Sequence, residues 1–261
     1  MALFGFASPA HWVTAQRGYS VCAVCHAWPA EPICSPCVER FAQPLARCPQ
    51  CALPGHTTTC PACTQHPPPW ERSLCAVPYG YPWDACLSRL KFEGDSAMGR
   101  SLAHVMQHAP GIEPALEAAQ WVVPMPLSSA RLRERGFNQA LVLARHLAKR
   151  KALDQALLRI KDTVRQVSLP KAQRLQNVVG TMVANPRHAQ ALNGCHVVLL
   201  DDVMTTGSSL HAAALALRQV GVRQITAMVF ARTDAPRLVV SIAPLAVGEN
   251  GDHVSHRLGS P

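Results

Sequence analysis

Val197-Val198-Leu199-Leu200-Asp201-Asp202-Val203-Met204-Thr205-Thr206-Gly207-Ser208-Ser209 lies in the last third of this 261-residue chain. Val197–Leu200 is an apolar run bounded by polar residues, the pattern of a central strand in a parallel sheet. Such a strand delivers Asp201 and Asp202 to its carboxyl edge. A short loop of hydroxyl residues and one glycine follows, then an Ala/Leu-rich helix over 208–220 that Gly221 stops. In open α/β sheets, ligands bind beyond the carboxyl ends of the strands. The N–H groups of the loop and of the helix start favour a phosphate there. Gly207 lets the backbone come close, and the hydroxyls of Thr205, Thr206, Ser208 and Ser209 can donate to phosphate oxygens. Asp201 and Asp202, acceptors only when ionised, suit the vicinal hydroxyls of a ribose, or Mg²⁺ through water.

Further strands are expected over 73–79, 121–123 and 225–231, the second ending in Pro124-Met125-Pro126. Residues 83–92 and 97–108 read as helices. The stretch 134–150 reads as one amphipathic helix, with Phe137, Leu141, Ala144, Leu147 and Ala148 on a single face. Residues 161–176, polar and basic, are expected to form a mobile loop leading into a helix. Alternation of strand and helix argues for an α/β fold with an open, mostly parallel sheet flanked by helices. Residues 235–261 lack periodicity and are expected to be a disordered tail.

Upstream, eight of the eleven cysteines lie between Cys22 and Cys63, all in CxxC pairs. Cys22, Cys25, Cys34 and Cys37 recur as Cys48, Cys51, Cys60 and Cys63, each shifted by 26. A CxxC turn aims two thiolates at one centre, and two turns complete a tetrahedral S₄ site for zinc. Iron–sulfur or redox thiols are the competing reading. Two pairings are open: each half of the repeat with its own metal, or a cross-braced arrangement joining 22/25 to 48/51. Loop closure favours the first by only about 0.9 kcal/mol, and the repeat favours it further. About two structural zinc ions are expected. So short a segment buries little core, and one zinc can contribute on the order of 10 kcal/mol. Cys75, Cys86 and Cys195 read as core residues. The stiff stretch His66-Pro67-Pro68-Pro69-Trp70 marks a boundary between a cysteine module over 20–66 and a domain over 70–233.

Apolar residues make up 48% of the chain and charged ones 16%, which suits a globular core. No apolar run reaches the ~18–20 residues of a membrane span. The first twenty residues carry no basic start with a sustained apolar stretch, so no secretory signal is expected and the cytoplasm is the default location. Net charge is +9, and residues 131–174 alone hold twelve Lys/Arg against three Asp/Glu. Phosphates, nucleic acid or both would suit that segment, although Phe137 is its only aromatic residue, which leaves base stacking weakly supported. Gly94-Asp95-Ser96-Ala97-Met98-Gly99-Arg100-Ser101 approaches a P-loop, but Arg100 stands where lysine is required and no buried strand precedes it.

The stretch 197–209 resembles the phosphoribosyl-pyrophosphate signature of type I phosphoribosyltransferases. Together with the cysteine repeat, the Pro-rich joint, Leu90-Lys91-Phe92-Glu93-Gly94-Asp95, Arg135-Gly136-Phe137-Asn138-Gln139, and Thr163, Gln166, Leu169, Arg174 and Asn177, it makes the chain similar to the ComF/GntX family. The resemblance covers roughly residues 20–233 and implies a double zinc ribbon ahead of a phosphoribosyltransferase-like domain. It implies that phosphoribosyl pyrophosphate binds with Mg²⁺, that Asp201 and Asp202 are catalytic, and that a pyrophosphate loop lies near Met125–Arg135. Arg131, Arg133 and Arg135, with Arg174 on a flexible loop over 161–176, would supply positive charge. Two functions fit: a transferase whose acceptor no segment identifies, or a non-catalytic protein of DNA uptake that engages single-stranded DNA or a competence helicase.

Overall fold

A computed structural model describes residues 20–160 and 181–234. The basic loop expected over 161–176, with Arg174, and the tail over 235–261 lie outside the described residues. In chain order the elements are α1 (Ser35–Phe41), α2 (Pro61–Gln65), β1 (Arg72–Pro78), α3 (Trp83–Phe92), α4 (Ser96–His108), α5 (Ile112–Ala118), β2 (Trp121–Pro124), α6 (Ser129–Arg135), α7 (Gln139–Ala148), β3 (Leu157–Arg159), β4 (Met182–Ala184), α8 (Ala189–Leu192), β5 (His196–Met204), α9 (Ser208–Gln219) and β6 (Gln224–Arg232).

Four strands form one parallel sheet in the order β1-β6-β5-β2. Alternate residues of its central strands serve two cores. Val198, Leu200, Met228 and Phe230 pack with α3, α4, α5 and α7. Val197, Leu199, Ile225, Ala227 and Val229 pack with α9 and with the antiparallel pair β3–β4. Both central strands are buried on two faces, which is why they read as continuous apolar runs.

Several elements differ from the sequence expectation, three of them around the sheet's carboxyl end and its flank. The helix expected over 134–150 is two helices. Gly136, at φ +76°, ends α6, and the Asn138 side chain accepts from the N–H groups of Ala140 and Leu141 to start α7. Strand β5 does not stop at the carboxylates but runs on to Met204, because β6 continues to pair with it as far as Arg232. The pair β3–β4 was not expected. Each member has only three residues, and their partnership spans more than twenty residues of chain.

The P-loop look-alike has a different explanation. Asp95 caps α4 by accepting from Met98 N–H at 3.0 Å. A Cβ on Gly99 would lie 2.6 Å from Val142 Cγ1, so this glycine lets α4 approach α7.

Residues 20–66 rest on the sheet domain. The first cysteine group belongs to the same core as Val77, Trp83 and Phe230, and Trp83 Nε1 donates to Phe41 O at 3.1 Å. Cys48, Cys60 and Cys63 form a separate small cluster, with only Cys51 and Leu53 packed against it.

Gly221 lies in the loop between α9 and β6 at φ +84°, and an added Cβ would lie 2.3 Å from Asn193 Oδ1. Gly221→Ala should therefore destabilise the protein by about 1–2 kcal/mol, measured as a lower thermal midpoint. An unchanged midpoint would count against this local geometry.

Candidate functional site

A cleft of about 370 Å³ crosses the carboxyl ends of the four parallel strands. Tyr79 follows β1 and Thr233 follows β6; Asp201, Asp202 and Val203 come from β5, and Met125 and Pro126 follow β2. Arg131 and Arg135 of α6 and Lys91 of α3 supply cations to it.

The centre is acidic. Lys91 Nζ sits 2.6 Å from Asp202 Oδ2, with both side chains mostly buried. Asp201 Oδ1 accepts from the Asp202 N–H at 2.9 Å. Burial, and then the neighbouring Asp202 carboxylate, push Asp201 well above the ordinary carboxylate range. Two carboxylates thus share the end of one strand, one neutralised by a lysine and the other biased towards its protonated form.

Below them, Thr205–Gly207 joins β5 to α9. Thr205 and Ser209 line the cleft. The hydroxyls of Thr206 and Ser208 lie 2.8 Å apart and bond to each other. Gly207 adopts a left-handed φ of +78° as the N-cap of α9. An L-residue would be strained there, and the glycine frees the first-turn N–H groups, which have no intrahelical acceptor.

The basic residues divide. Arg131 and Arg135, four apart on α6, face the cleft, whereas Arg133 is exposed and outside its lining. Arg135 Nη1 donates to Gln139 Oε1 at 3.0 Å, and its guanidinium lies 5.3 Å from the centre of the Phe92 ring. Arg135 Nε and Gln139 Nε2 are buried without hydrogen-bond acceptors. Two such donors beside a cleft match an anionic ligand. Asn138 Nδ2 donates to Met125 O at 2.9 Å, tying the segment after β2 to the start of α7. Tyr79, Gln139 and Thr233 carried no assigned role in the sequence reading. Their only signal was position, since Tyr79 and Thr233 follow strand ends where ligands bind.

The cysteines fall into two groups, Cys22/Cys25/Cys34/Cys37 and Cys48/Cys51/Cys60/Cys63, with all sulfurs of a group within 4.8 Å of one another. The grouping is sequential and not cross-braced. Both groups repeat one detail: Cys34 N–H points at Cys22 Sγ at 3.4 Å, and Cys60 N–H at Cys48 Sγ at 3.3 Å. Burial opposes ionisation of these two thiols, but surrounding backbone N–H groups outweigh it, bringing Cys22 to about 6 and Cys48 to about 7. Four converging sulfurs with one stabilised thiolate fit a metal such as zinc. Burial raises the thiols of Cys75 and Cys86 to about 11, as expected of core residues. No helix among the described residues is long and apolar enough to cross a membrane.

Residues 134–253 match the phosphoribosyl transferase domain family. The DNA utilization protein YhgH of Salmonella typhi is 32% identical over 209 residues, covering 77% of this chain and 90% of that protein. Competence protein F of Haemophilus influenzae is 28% identical over 211 residues, with the same coverage of 77% and 90%. Competence protein ComFC of Bacillus subtilis is 31% identical over 136 residues, covering 52% of this chain and 53% of that protein.

The environment of Asp201 predicts a pH-dependent stability. A folded-state value raised above the unfolded one gives stability that is fully present below the ordinary carboxylate value of 3.8 and is lost as pH rises through the raised value. Asn cannot ionise and keeps an acceptor for the Asp202 N–H. Asp201→Asn should melt above the wild type at about pH 7, by roughly 2–4 °C for each kcal/mol recovered. The advantage should shrink towards about pH 4. Thermal denaturation followed across that range checks this, and a pH-independent difference would contradict it.

Proposed function

The chain belongs to the ComF family, and on that footing we propose that its cleft binds phosphoribosyl pyrophosphate with magnesium and passes the phosphoribosyl group to an acceptor. The carrying observation is the sequence of groups along one strand end: Asp201 and Asp202, then the Thr205–Ser209 loop, with Arg131 and Arg135 opposite. Each matches one part of the donor. The carboxylates suit the ribose hydroxyls, the loop and the start of α9 suit the 5′-phosphate, and the two arginines suit the pyrophosphate.

The chemistry asks little covalent work of the protein. The C1–O bond breaks and its electron pair leaves with pyrophosphate. The acceptor's lone pair forms the new bond to C1, and its proton passes to solvent. Negative charge grows on the leaving group, where Arg131 and Arg135 stabilise it. Magnesium, when bound, would offset part of the same charge, and Asp201 and Asp202 are the hard oxygen ligands available to it. Lys91 holds Asp202 in place and keeps net charge at the strand end low. The two S₄ groups would each hold a structural zinc, and four thiolates leave no open position for catalysis. Thiols kept reduced for metal suit the cytoplasm.

A second reading is a non-catalytic role in DNA uptake, in which the cationic segment engages single-stranded DNA or a helicase. The names of the relatives, DNA utilization protein and competence protein, favour it.

Calorimetry with phosphoribosyl pyrophosphate and Mg²⁺ should give a binding isotherm, with ribose 5-phosphate and inorganic phosphate competing. The double variant Asp201→Asn, Asp202→Asn should bind roughly ten- to hundredfold more weakly, the usual cost of about 1.5–3 kcal/mol for a charge-assisted contact. Gly207→Val should abolish binding of the phosphate. Release of pyrophosphate on incubation with a panel of bases and amines, followed by phosphorus NMR, would identify an acceptor. No heat and no thermal shift at millimolar donor would remove the transferase reading and leave the second. That reading predicts single-stranded DNA affinity that falls steeply with salt.

Elemental analysis of the native protein should give about two zinc ions per chain, one for each group of four sulfurs. Iron, or no metal, would overturn that assignment.

A further inference from the structure

The loop below the carboxylates does not rest on the sheet alone. Arg232, the last residue of β6, is 7% exposed. Its Nη1 donates to Thr205 O at 2.5 Å and, more weakly, to Met204 O at 3.3 Å. Its Nε donates to Cys51 O at 3.0 Å. One guanidinium therefore spans from the second cysteine group to the start of the loop. The guanidinium is planar and its donors form a rigid fork, so the acceptor taken by Nε fixes where Nη1 points.

A second arm runs parallel to the first. Trp70 Nε1 donates to Gln50 O at 2.6 Å, and the ring is 5% exposed. Its far edge, Cη2, lies 3.8 Å from where a Cβ on Gly207 would stand, and the ring meets His211 of α9 edge-on. Ser73 completes the contact: its N–H donates to Pro49 O at 2.7 Å and its Oγ to Gln50 O at 2.6 Å. Three successive carbonyls of the turn Cys48-Pro49-Gln50-Cys51 are thus held by the sheet domain. Of the residues holding them, Arg232 also bonds to the loop at Thr205 O, and Trp70 packs against the first turn of α9 at His211.

That turn is closed by its own backbone, with Cys48 N–H donating to Leu53 O and Ala52 N–H to Cys48 O, both at 2.9 Å, but it has little apolar packing. Apart from Leu53, the cluster around it consists of the cysteines themselves. In the first group, by contrast, Cys22 and Cys37 lie in the core with Trp83 and Phe230. A bound metal would tie the turn of the second group to the helix that carries Cys63, a link that apolar packing there does little to replace.

We propose that Arg232 and Trp70 are positioning residues, through which metal held by Cys48, Cys51, Cys60 and Cys63 sets the affinity of the Thr205–Ser209 loop for the phosphate of its ligand. This rests on the reading of that loop as the donor's phosphate site. Loss of the second metal frees Cys51 O and Gln50 O to move. Thr205 O then loses its fixed donor, and the N–H groups of the loop lose their common orientation.

The test uses the full chain, with zinc content, ribose 5-phosphate affinity and amide hydrogen exchange over 204–210 as parallel readouts. Cys60→Ser should lose one zinc, bind at least tenfold more weakly and exchange faster over 204–210, with a larger loss of affinity than Cys34→Ser. Arg232→Gln and Trp70→Phe should keep both zinc ions and the overall fold yet weaken binding and speed the same exchange. These two keep the test sharp if Cys60→Ser fails to fold. Zinc-replete Arg232→Gln with affinity within twofold of wild type and unchanged exchange would overturn the proposal. If the wild type binds neither donor nor ribose 5-phosphate, the donor reading falls, and exchange over 204–210 decides the coupling alone. Faster exchange in Cys60→Ser and Arg232→Gln supports it, and unchanged exchange in both sinks it.

Discussion

The register of β5 against β6 sets Val198 opposite Thr226 and Asp201 opposite Val229. On this pairing depends which core each apolar side chain enters. A slip of one residue would exchange the two faces, sending Val197 and Leu199 into the helical layer of α3 and α4 and their neighbours into the layer of α9. It would also undo the ion pair between Asp202 and Lys91, because Lys91 is carried by α3 and α3 packs on one face only. The long parallel ladder makes such a slip costly. It also explains why β5 runs through both aspartates to Met204 while its apolar run ends at Leu200.

The cysteine repeat places one geometry in two settings. Both halves present four sulfurs, one N–H directed at a buried sulfur and a short helix that starts within the second pair. Their surroundings differ. The first half contributes Cys22, Val24, Ile33 and Cys37 to a large shared core. The second half contacts the sheet domain chiefly through backbone carbonyls. Carbonyls are directional acceptors, so this contact transmits position more faithfully than an apolar one of equal area.

Much of this was legible in the sequence because its signals are local. The apolar run before Asp201, the small residues of the loop and the helix ended by Gly221 all fall within one window of chain. The spacing of the cysteines exposed their repeat but left the pairing open, since loop closure hardly separates the alternatives. Helical periodicity from Phe137 onwards concealed the break, because Gly136 and Asn138 act through turn chemistry that an apolar pattern does not report. As loop residues, Arg131, Arg133 and Arg135 were equivalent. On a helix, Arg133 lies on the opposite side from the other two. Tyr79 and Thr233 signalled no more than their place after strand ends, and Arg232 gave no signal, for another reason. Their roles come from neighbours far away in sequence, and Arg232 alone reads as no more than a cation at the end of a strand.

The position of β1 in the sheet has a consequence for how the chain is made. Among the described residues its sole strand partner is β6, with Arg72 opposite Thr226, so an early strand waits for a late one before it is paired. The cysteine groups, by contrast, each close within a short span, from Cys22 to Cys37 and from Cys48 to Cys63. Local contacts form quickly and distant ones slowly. On a ribosome adding about 5–20 residues per second, residues 20–66 have many seconds to bring their sulfurs together before Arg232 is made. Until then β1 lacks the partner that its edge takes in the folded sheet.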